Sequence, residues 1–318
     1  MRCLVAGTPE VAVVALEAIL RSKHEVIAVL TRPDAQSGRG RRVQPSPVAQ
    51  VARELNLLTF TPERLTDPDF EESVHSLQPD CCPVIAFGGL IPQNLLDVPK
   101  HGWINLHFSL LPAWRGAAPV NYALLAGDTQ TGATTFRIEA GLDTGPILKQ
   151  RHLDIAARDT AGSLLSSLAT IGAELLVETL DRLDEGSVIA RPQPTTGITL
   201  APRIHMDQAH IDWSASAVAI DRLVRAMTPA PGAWANVVNL DALTLDAVTL
   251  DRVNIAPIEL DTGPADLAPG AIATSSKHVW VGTGDTPVRL TDVQPAGKRW
   301  MPASDWLRGW RGNTPTLR

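Results

Sequence analysis

The stretch RCLVAGTPEVAVVALEAILRSKHEVIAVL, residues 2–30, holds two short apolar runs separated by a longer segment. The runs RCLVAG and EVIAVL have the length and apolar character of buried strands. The segment between them, EVAVVALEAILRS, is too long for such a strand and carries charged residues near both ends, which favours a helix. A strand, a helix and a second strand in this order predict a parallel βαβ unit.

The same alternation continues to about residue 186. Further predicted strands are CCPVIAF, GWINLHF and GATTFRIE, and further predicted helices are SPVAQVAREL, DPDFEESVHSL, APVNYALLAG and residues 159–186. We therefore predict an α/β N-terminal domain over residues 1–186, with a doubly wound and mostly parallel sheet. The turn AGTPE contains only Gly7 of the G-x-G-x-x-G pattern, so no dinucleotide site is predicted there.

The sequence changes character after residue 186. SVIARPQPTTGITLAPRIH is rich in proline and lacks a helical period, so residues 187–206 are predicted to be a linker. Beyond it, DWSASAVAIDRLVRAM is a predicted helix, and WANVVNL, ALTLDAVTL, AIATSS, HVWVGTG and PVRLTDV are short predicted strands. Residues 207–318 therefore form a smaller predicted β-barrel domain. Two domains also suit a chain of 318 residues, which exceeds the usual size of one core.

Composition indicates a globular protein whose surface is acidic on balance. Hydrophobic residues make up 44% and charged residues 19%, and the formal net charge is −6, so any nucleic-acid partner needs a local basic patch. Three cysteines without metal-ligand spacing predict core residues in a reducing compartment: Cys3, Cys81 and Cys82. We find no uninterrupted apolar span, and Glu10 and Glu17 interrupt any signal peptide, so we expect a cytoplasmic protein.

One predicted strand carries polar side chains near its carboxyl end, in INLHFSLLPAWRGAAP, residues 104–119. Asn105 and His107 are two residues apart, so they share one face of the strand near its carboxyl end, where α/β sheets bind ligands. Asp143, in EAGLDTGP, follows the next predicted strand. An amide, an imidazole and a carboxylate without a nucleophile suit a reaction at a bound carbonyl. The alternative is a strand-end cap, a buried histidine and a turn residue.

INLHFSLLPAWRGAAP together with GLDTG resembles the folate-dependent formyltransferases, whose signature is Asn-x-His, then Ser-Leu-Leu-Pro, then a later Asp. Four further stretches resemble the branch of this family that acts on methionyl-tRNA, and they extend the resemblance over essentially the whole chain. They are AGTPE, RPDAQSGRGRRVQPSPV, IDWSASA and QPAGKRWM. The resemblance implies a Rossmann-like N-terminal domain and a C-terminal barrel like an OB-fold.

The resemblance also implies an activity. The formyl group of 10-formyltetrahydrofolate would pass to the α-amino group of methionyl initiator tRNA, for translation initiation and without a metal. A monomer is our default expectation and does not come from the resemblance. The implied catalytic residues are Asn105, His107 and Asp143. The implied folate contacts are Ser109, Leu110, Leu111, Pro112, Phe87 and Gly88.

Two positions depart from the family pattern, and both concern the folate pocket. Phe108 stands where a small residue or proline is frequent, and Phe87 lacks the hydroxyl of the tyrosine that is common there. Strand geometry turns Phe108 away from His107, so it is predicted to be a packing residue. The Leu111–Pro112 bond is predicted to be cis, because the loop must turn sharply to wall the folate.

A basic loop is the second candidate functional feature. In SGRGRR, three arginines are spaced by glycine in an otherwise acidic protein: Arg39, Arg41 and Arg42. A solvated charge run is the alternative, but the resemblance implies that this flexible loop enters the acceptor arm of the initiator tRNA. Near the C-terminus, Trp300, Trp306 and Trp310 lie among basic residues and are predicted partly to face tRNA and partly to pack.

Two other functions stay open at this point. A formyltransferase of the same fold could act on a sugar-nucleotide amine, which would need Asn105, His107 and Asp143 but not the arginine loop. A catalytically silent tRNA-binding module would need the loop but not the Asn-x-His spacing. The first alternative is a different enzyme, and the second is a binding protein.

Overall fold

The computed structural model describes residues 1–37, 42–240, 247–260, 263–264, 266–275, 277–310 and 314–318. The chain divides into two compact units. The first unit comprises Met1–Pro119, Thr129–Ile155 and Leu165–Arg203. The second comprises Val120–Asp128, Ala156–Leu164 and Ile204–Arg318. The second unit is therefore discontinuous, since it takes two short segments from the N-terminal half of the sequence.

In the described ranges, the strands before residue 160 are, in chain order, β1 (Arg2–Gly7), β2 (Glu25–Leu30), β3 (Ala35–Ser37), β4 (Arg42–Gln44), β5 (Thr59–Phe60), β6 (Cys82–Ile85), β7 (Trp103–His107), β8 (Gln130–Arg137) and β9 (Ile147–Asp154). The helices before residue 190 are α1 (Glu10–Leu20), α2 (Pro47–Glu54), α3 (Pro68–Leu77), α4 (Gln93–Leu96), α5 (Pro119–Ala126) and α6 (Ala161–Asp184). The predicted alternation of strands and helices is confirmed.

Seven strands of the first unit form one sheet in the order β5-β2-β1-β6-β7-β8-β9. The five strands from β5 to β7 pair in parallel, whereas β8 and β9 are antiparallel to their neighbours. The prediction of a doubly wound, mostly parallel sheet is thus confirmed. From β1 the chain first proceeds towards β5 and later returns on the other side of β1, so a topological switch point lies between β1 and β6, with β7 next to it.

Close packing explains two glycines of this unit. A Cβ on Gly7 would lie 2.6 Å from the Cβ of Ala12, so glycine is needed where β1 turns into α1. A Cβ on Gly172 of α6 would lie 3.2 Å from the side chain of Leu106 on β7. Helix α6 therefore covers the face of β7 to which Leu106 points.

Helix α6 is long and apolar enough to cross a membrane by length and composition alone, although the sequence indicated no such segment. Half of its most apolar window is buried within the protein, as in the core helix of a globular domain. The polar face of α6 forms ion pairs with β9: Glu174 with Arg151, and Glu178 with Lys149 and Arg151. The helix is amphipathic, and its apolar face serves the core.

All three cysteines are free and buried. Burial raises the pKa of the Cys3 thiol to about 12 and raises the pKa values of Cys81 and Cys82 well above the ordinary value. Their prediction as core residues is confirmed.

The strands of the second unit, within the described residues, are β10 (Trp234–Leu240), β11 (Ala247–Ile255), β12 (Ile272–Thr274), β13 (Val279–Val281), β14 (Val288–Leu290), β15 (Asp292–Pro295), β16 (Met301–Pro302) and β17 (Thr316–Leu317). A 3₁₀ helix (Met206–Ala209), α7 (Ala217–Ala226) and α8 (Ala303–Arg308) complete it. The strands form antiparallel sheets in the orders β16-β15-β11-β10-β17 and β12-β13-β14.

Isolated bridges extend the pairing beyond these two sheets. Ala271, which precedes β12, pairs with Thr316 of β17, and Glu259, which follows β11, pairs with Arg289 of β14. The sheets thereby approach the predicted barrel arrangement around a common core. Among the C-terminal tryptophans, Trp306 is buried and its ring lies 5.9 Å from that of Trp310, whereas Trp300 is 49% exposed. The packing part of the tryptophan prediction is therefore confirmed for Trp306.

Short segments from the N-terminal half are hydrogen-bonded into this second unit. The Asn121 side-chain amide donates to the carbonyl of Ala226 at 2.6 Å. An Nη of Arg158 donates to the carbonyl of Ile258 at 2.8 Å. These bonds complete the unit with residues that lie 100 positions or more from their partners.

Candidate active site

Strand β7 carries the predicted Asn-x-His pair at the carboxyl edge of the sheet. Asn105 is paired in register with Val84 of β6 and Phe136 of β8, and His107 is paired with Thr134. Because Leu106 points towards α6, alternation along the strand places the side chains of Asn105 and His107 on the opposite face. The predicted shared face is therefore present.

The imidazole of His107 is buried and has a defined tautomer. Its Nε2 lies 2.9 Å from the carbonyl oxygen of Trp114, and a carbonyl can only accept, so Nε2 carries the proton. Its Nδ1 is left facing Oδ2 of Asp143 at 3.9 Å. Burial lowers the pKa of His107, against the opposing effects of the Asp143 charge and the Trp114 carbonyl. Burial therefore favours the neutral ring, in which the unprotonated Nδ1 is directed towards Asp143.

Asp143 lies in the loop between β8 and β9 with a positive φ of 48°. This left-handed conformation costs an aspartate less than most residues, because its short side chain can hydrogen-bond locally. Oδ2 of Asp143 accepts a hydrogen bond from the backbone N–H of Gly116 at 2.7 Å. The carboxylate is thus held beside His107, and the structure brings these two predicted residues together.

The Asn105 side chain is half-buried, and none of the described residues hydrogen-bonds with it. No strand-capping bond from this amide is present among those residues, so that alternative interpretation lacks support. A half-buried amide without a partner among the described residues is available to a bound group. Within the described ranges, no three His, Cys, Asp or Glu side chains are grouped as a metal site would require.

The SLLP loop is fixed by internal hydrogen bonds. The Ser109 hydroxyl donates to the carbonyl of Ala113 at 2.6 Å and is fully buried, so it is committed to the loop. The Thr134 hydroxyl donates to the carbonyl of Ser109 and accepts from the N–H of Leu111. Gln150 donates to the carbonyl of Leu111 at 3.0 Å. The Leu111–Pro112 peptide bond is cis, which confirms that prediction.

The other predicted folate residues lie in different environments. Phe87 is buried in the core with Leu4 and Trp103, so its ring packs inwards. Gly88 is exposed with φ of 74°, and its carbonyl accepts from Arg32 at 3.1 Å. Leu110 is partly exposed, and a Cβ on Gly132 would clash with it at 2.5 Å. Phe108 is buried, which confirms its prediction as a packing residue.

The arginine loop is described only at its base. Arg39 and Arg41 lie outside the described residues. The backbone of Arg42 opens β4 and pairs with Ser37, so Arg42 belongs to a short antiparallel hairpin. The predicted role of Arg39, Arg41 and Arg42 in binding tRNA stays a prediction.

Residues 191–201, within the predicted linker, pair with the loops around the site. Arg115 donates its N–H to the carbonyl of Thr199 and accepts from the N–H of Ala201. Arg191 and Ile147 exchange two backbone bonds of 2.8 Å each. The sequence predicted only a linker here, because its proline content carries no signal for such long-range pairing.

Comparison with known proteins identifies the family of this chain. A family described as formyl transferase matches residues 1–180, and the formyl transferase C-terminal domain matches residues 203–311. Methionyl-tRNA formyltransferases of Thermobifida fusca and Streptomyces coelicolor are 50% and 51% identical over 98% of this chain, and each is covered to 97% of its own length. An N-formyltransferase structure from Helicobacter canadensis, in complex with folinic acid and dTDP-3-aminofucose, superimposes with a TM-score of 0.65. That superposition covers 92% of this chain and 98% of the other at 18% identity, so it shows the fold alone.

These matches confirm the resemblance inferred from the sequence motifs. The two profiles together extend over nearly the whole chain, and the relatives align from end to end. The chain belongs to the formyl transferase family, with methionyl-tRNA formyltransferases as its full-length relatives.

Proposed function

We propose that the protein transfers the formyl group of 10-formyltetrahydrofolate to the α-amino group of methionyl initiator tRNA, as a cytoplasmic monomer in translation initiation. Full-length relatives that are named methionyl-tRNA formyltransferase, and that are 50% and 51% identical to this chain, support this pair of substrates. The observation that carries the chemistry is the grouping of His107 and Asp143, at 3.9 Å, beside the amide of Asn105, which has no hydrogen-bond partner among the described residues. That grouping matches the needs of acyl transfer to an amine.

The reaction needs a stabilised oxyanion. When the amine attacks the formyl carbon, a new C–N bond forms and the carbonyl oxygen becomes negative. Asn105 can donate to this oxygen through its free amide N–H. His107 cannot donate through Nε2 without breaking its bond to Trp114, so only Nδ1 faces the reaction. Fixed donors of this kind contribute more than water does, because they need no reorganisation in the transition state.

The reaction also moves one proton. The attacking amine loses a proton, and the bond from the formyl carbon to the folate nitrogen breaks as that nitrogen gains one. The neutral Nδ1 of His107 accepts the proton of the amine, and the resulting imidazolium is stabilised by the Asp143 carboxylate. The same Nδ1–H then protonates the leaving folate nitrogen. The proton is returned, so the His107–Asp143 pair is regenerated.

For the folate, we propose a wall formed by Leu110, Leu111 and Pro112, with Gly88 on a neighbouring loop. Thr134 and Gln150 support this wall by fixing the loop backbone. Ser109 contributes through its place in the loop, because its hydroxyl is committed to Ala113. Phe87 contributes by packing beneath Gly88, since its ring lies in the core.

For the tRNA, we propose that Arg39, Arg41 and Arg42 contact phosphates of the acceptor arm. Neutralising all three arginines is expected to weaken tRNA binding. The affinity is also expected to depend less steeply on salt concentration, since binding releases about 0.7–0.9 fewer counterions for each lost phosphate contact. Folate binding is expected to stay unchanged. Binding measured at several salt concentrations checks this prediction. Arg39 is expected to contribute most, because Gly38 and Gly40 give it the greatest reach.

The matched control for the arginine loop is Arg64→Gln, which removes one charge from an exposed position of the same unit. If the triple variant keeps the affinity and slope of this control, the loop does not hold phosphates. If discrimination between initiator and elongator tRNA falls while the slope is kept, the loop reads shape instead.

A transfer assay separates the three functions. We expect formylation of methionyl initiator tRNA from 10-formyltetrahydrofolate and none of a nucleotide amino sugar. Formylation of the sugar alone would establish the first alternative. Tight tRNA binding with no transfer to either acceptor would establish the silent binding module.

A further inference from the structure

Gln193 differs in solvent exposure from the residues around it. Residues 189–192 and 194–200 are all exposed, whereas Gln193 is half-buried. The backbone on either side of it is fixed by the pairings of Arg191 with Ile147 and of Thr199 with Arg115. The side chain of Gln193 is therefore directed into the first unit from a segment that otherwise lies on its surface.

The amide of Gln193 connects two site loops. Its Nε2 donates to the carbonyl of Asp143 at 2.7 Å and to the carbonyl of Gly145 at 2.8 Å. Its Oε1 accepts from Nε and Nη2 of Arg115, at 3.2 Å and 2.7 Å. Both N–H donors and both lone pairs are thus in use, so this side chain has no capacity left for a substrate.

The two loops that Gln193 connects are those that set the geometry of the His107–Asp143 pair. One is the Asp143 loop, whose φ of 48° is held against the ordinary preference of the backbone. The other contains Gly116, whose N–H bonds the Asp143 carboxylate. A Cβ on Gly116 would lie 2.6 Å from the carbonyl oxygen of Ala201, so this loop is tightly packed on the same segment.

We propose that Gln193 is a positioning residue for formyl transfer: by joining the Asp143 loop to Arg115, it holds the Asp143 carboxylate opposite Nδ1 of His107. This inference rests on the proposed function. Gln193 touches neither the imidazole nor the reacting atoms, so its effect passes entirely through Asp143 and the Arg115–Gly116 loop. Loss of its bonds would let the carboxylate move while the folate and tRNA contacts stay in place.

The test uses Gln193→Leu, which removes all four hydrogen bonds at similar size, and Gln193→Glu, which keeps the acceptor towards Arg115. The matched control is Gln93→Leu, because Gln93 bonds only Asp97 on the surface among the described residues. We expect Gln193→Leu to lower kcat about 10-fold with KM for both substrates within about twofold of wild type, as a misplaced catalytic group does. Gln193→Glu is expected to lie between this variant and the control.

A second readout does not depend on activity. Histidine NMR titration of the substrate-free protein follows the pKa of His107, which the Asp143 charge raises. Moving that charge away is expected to lower the pKa of His107 in Gln193→Leu but not in Gln93→Leu. If Gln193→Leu unfolds, Gln193→Ala provides the same comparison, since it also removes all four hydrogen bonds and adds no charge.

Three results would overturn the inference. They are an unchanged kcat together with an unchanged His107 titration, a rise in KM alone, and a loss of thermal stability that accounts for the whole loss of activity. If the wild-type protein transfers no formyl group to methionyl-tRNA, the proposed function fails, and the His107 titration still decides whether Gln193 positions Asp143. The two failures are therefore distinguishable.

Discussion

Replacing His107 by alanine is expected to lower the turnover of formyl transfer by at least about 100-fold, since general acid–base catalysis contributes about that much or more. We assign both proton-transfer steps to Nδ1 of this imidazole. The ring is buried, so a water molecule is a poor replacement for it. Single-turnover rates with saturating 10-formyltetrahydrofolate and charged initiator tRNA measure the effect on the chemical step itself.

His152→Ala is the matched control, because His152 is an exposed histidine of β9 that bonds Gln130. This variant is expected to keep wild-type turnover. Circular dichroism and the melting temperature show whether the His107 variant remains folded, and the Kd values for folate and tRNA should change little. A His107→Ala protein that folds and turns over at near the control rate would remove His107 from the mechanism.

Asp143→Asn is expected to reduce turnover by a similar factor, at least about 100-fold, through the loss of one negative charge. Asparagine tolerates the positive φ at this position and its oxygen can still accept from Gly116, so the loop should keep its shape. What changes is the charge opposite Nδ1. The imidazolium formed during the reaction then lacks its counterion, and the barrier rises.

The Asp143→Asn variant also has a signed pH effect. The Asp143 carboxylate raises the pKa of His107 against the larger lowering by burial. Removing the charge leaves burial less opposed, so the pKa of His107 falls further below its ordinary value. NMR titration should show this fall, with Asp154→Asn as the control at an exposed carboxylate of β9. A His107 titration that stays in place, or one that moves to higher pH, would contradict the assigned contact.

Within the first unit, the strands that the sequence predicted are those with buried residues. Strands β1, β2 and β6 lie inside the sheet, so their apolar runs stand out from the polar segments around them. Strand β9, ILKQRHLD, was missed because it lies at the sheet edge and is mostly half-buried or exposed. Its Lys149 and Arg151 pair with glutamates of α6, so the sequence there has the composition of a charged surface segment.

The candidate site likewise contains some residues that the sequence could predict and others that it could not. Asn105 and His107 could be predicted because the two-residue period of a strand fixes their shared face. The roles of Gln193 and Thr134 could not, since each depends on contacts with residues 23 to 78 positions away along the chain. The hydrogen bond of the Ser109 hydroxyl could not be predicted either, because only the folded loop shows that the carbonyl of Ala113 accepts it.

The discontinuous second unit limits how this protein can be cut or recombined. A fragment that begins at residue 207 would lack Asn121 and Arg158, and would leave the carbonyls of Ala226 and Ile258 without these donors. An engineer who grafts the barrel onto another enzyme would therefore have to transplant Val120–Asp128 and Ala156–Leu164 as well, or supply substitutes for them. Residues 207–318 are not by themselves a transferable domain.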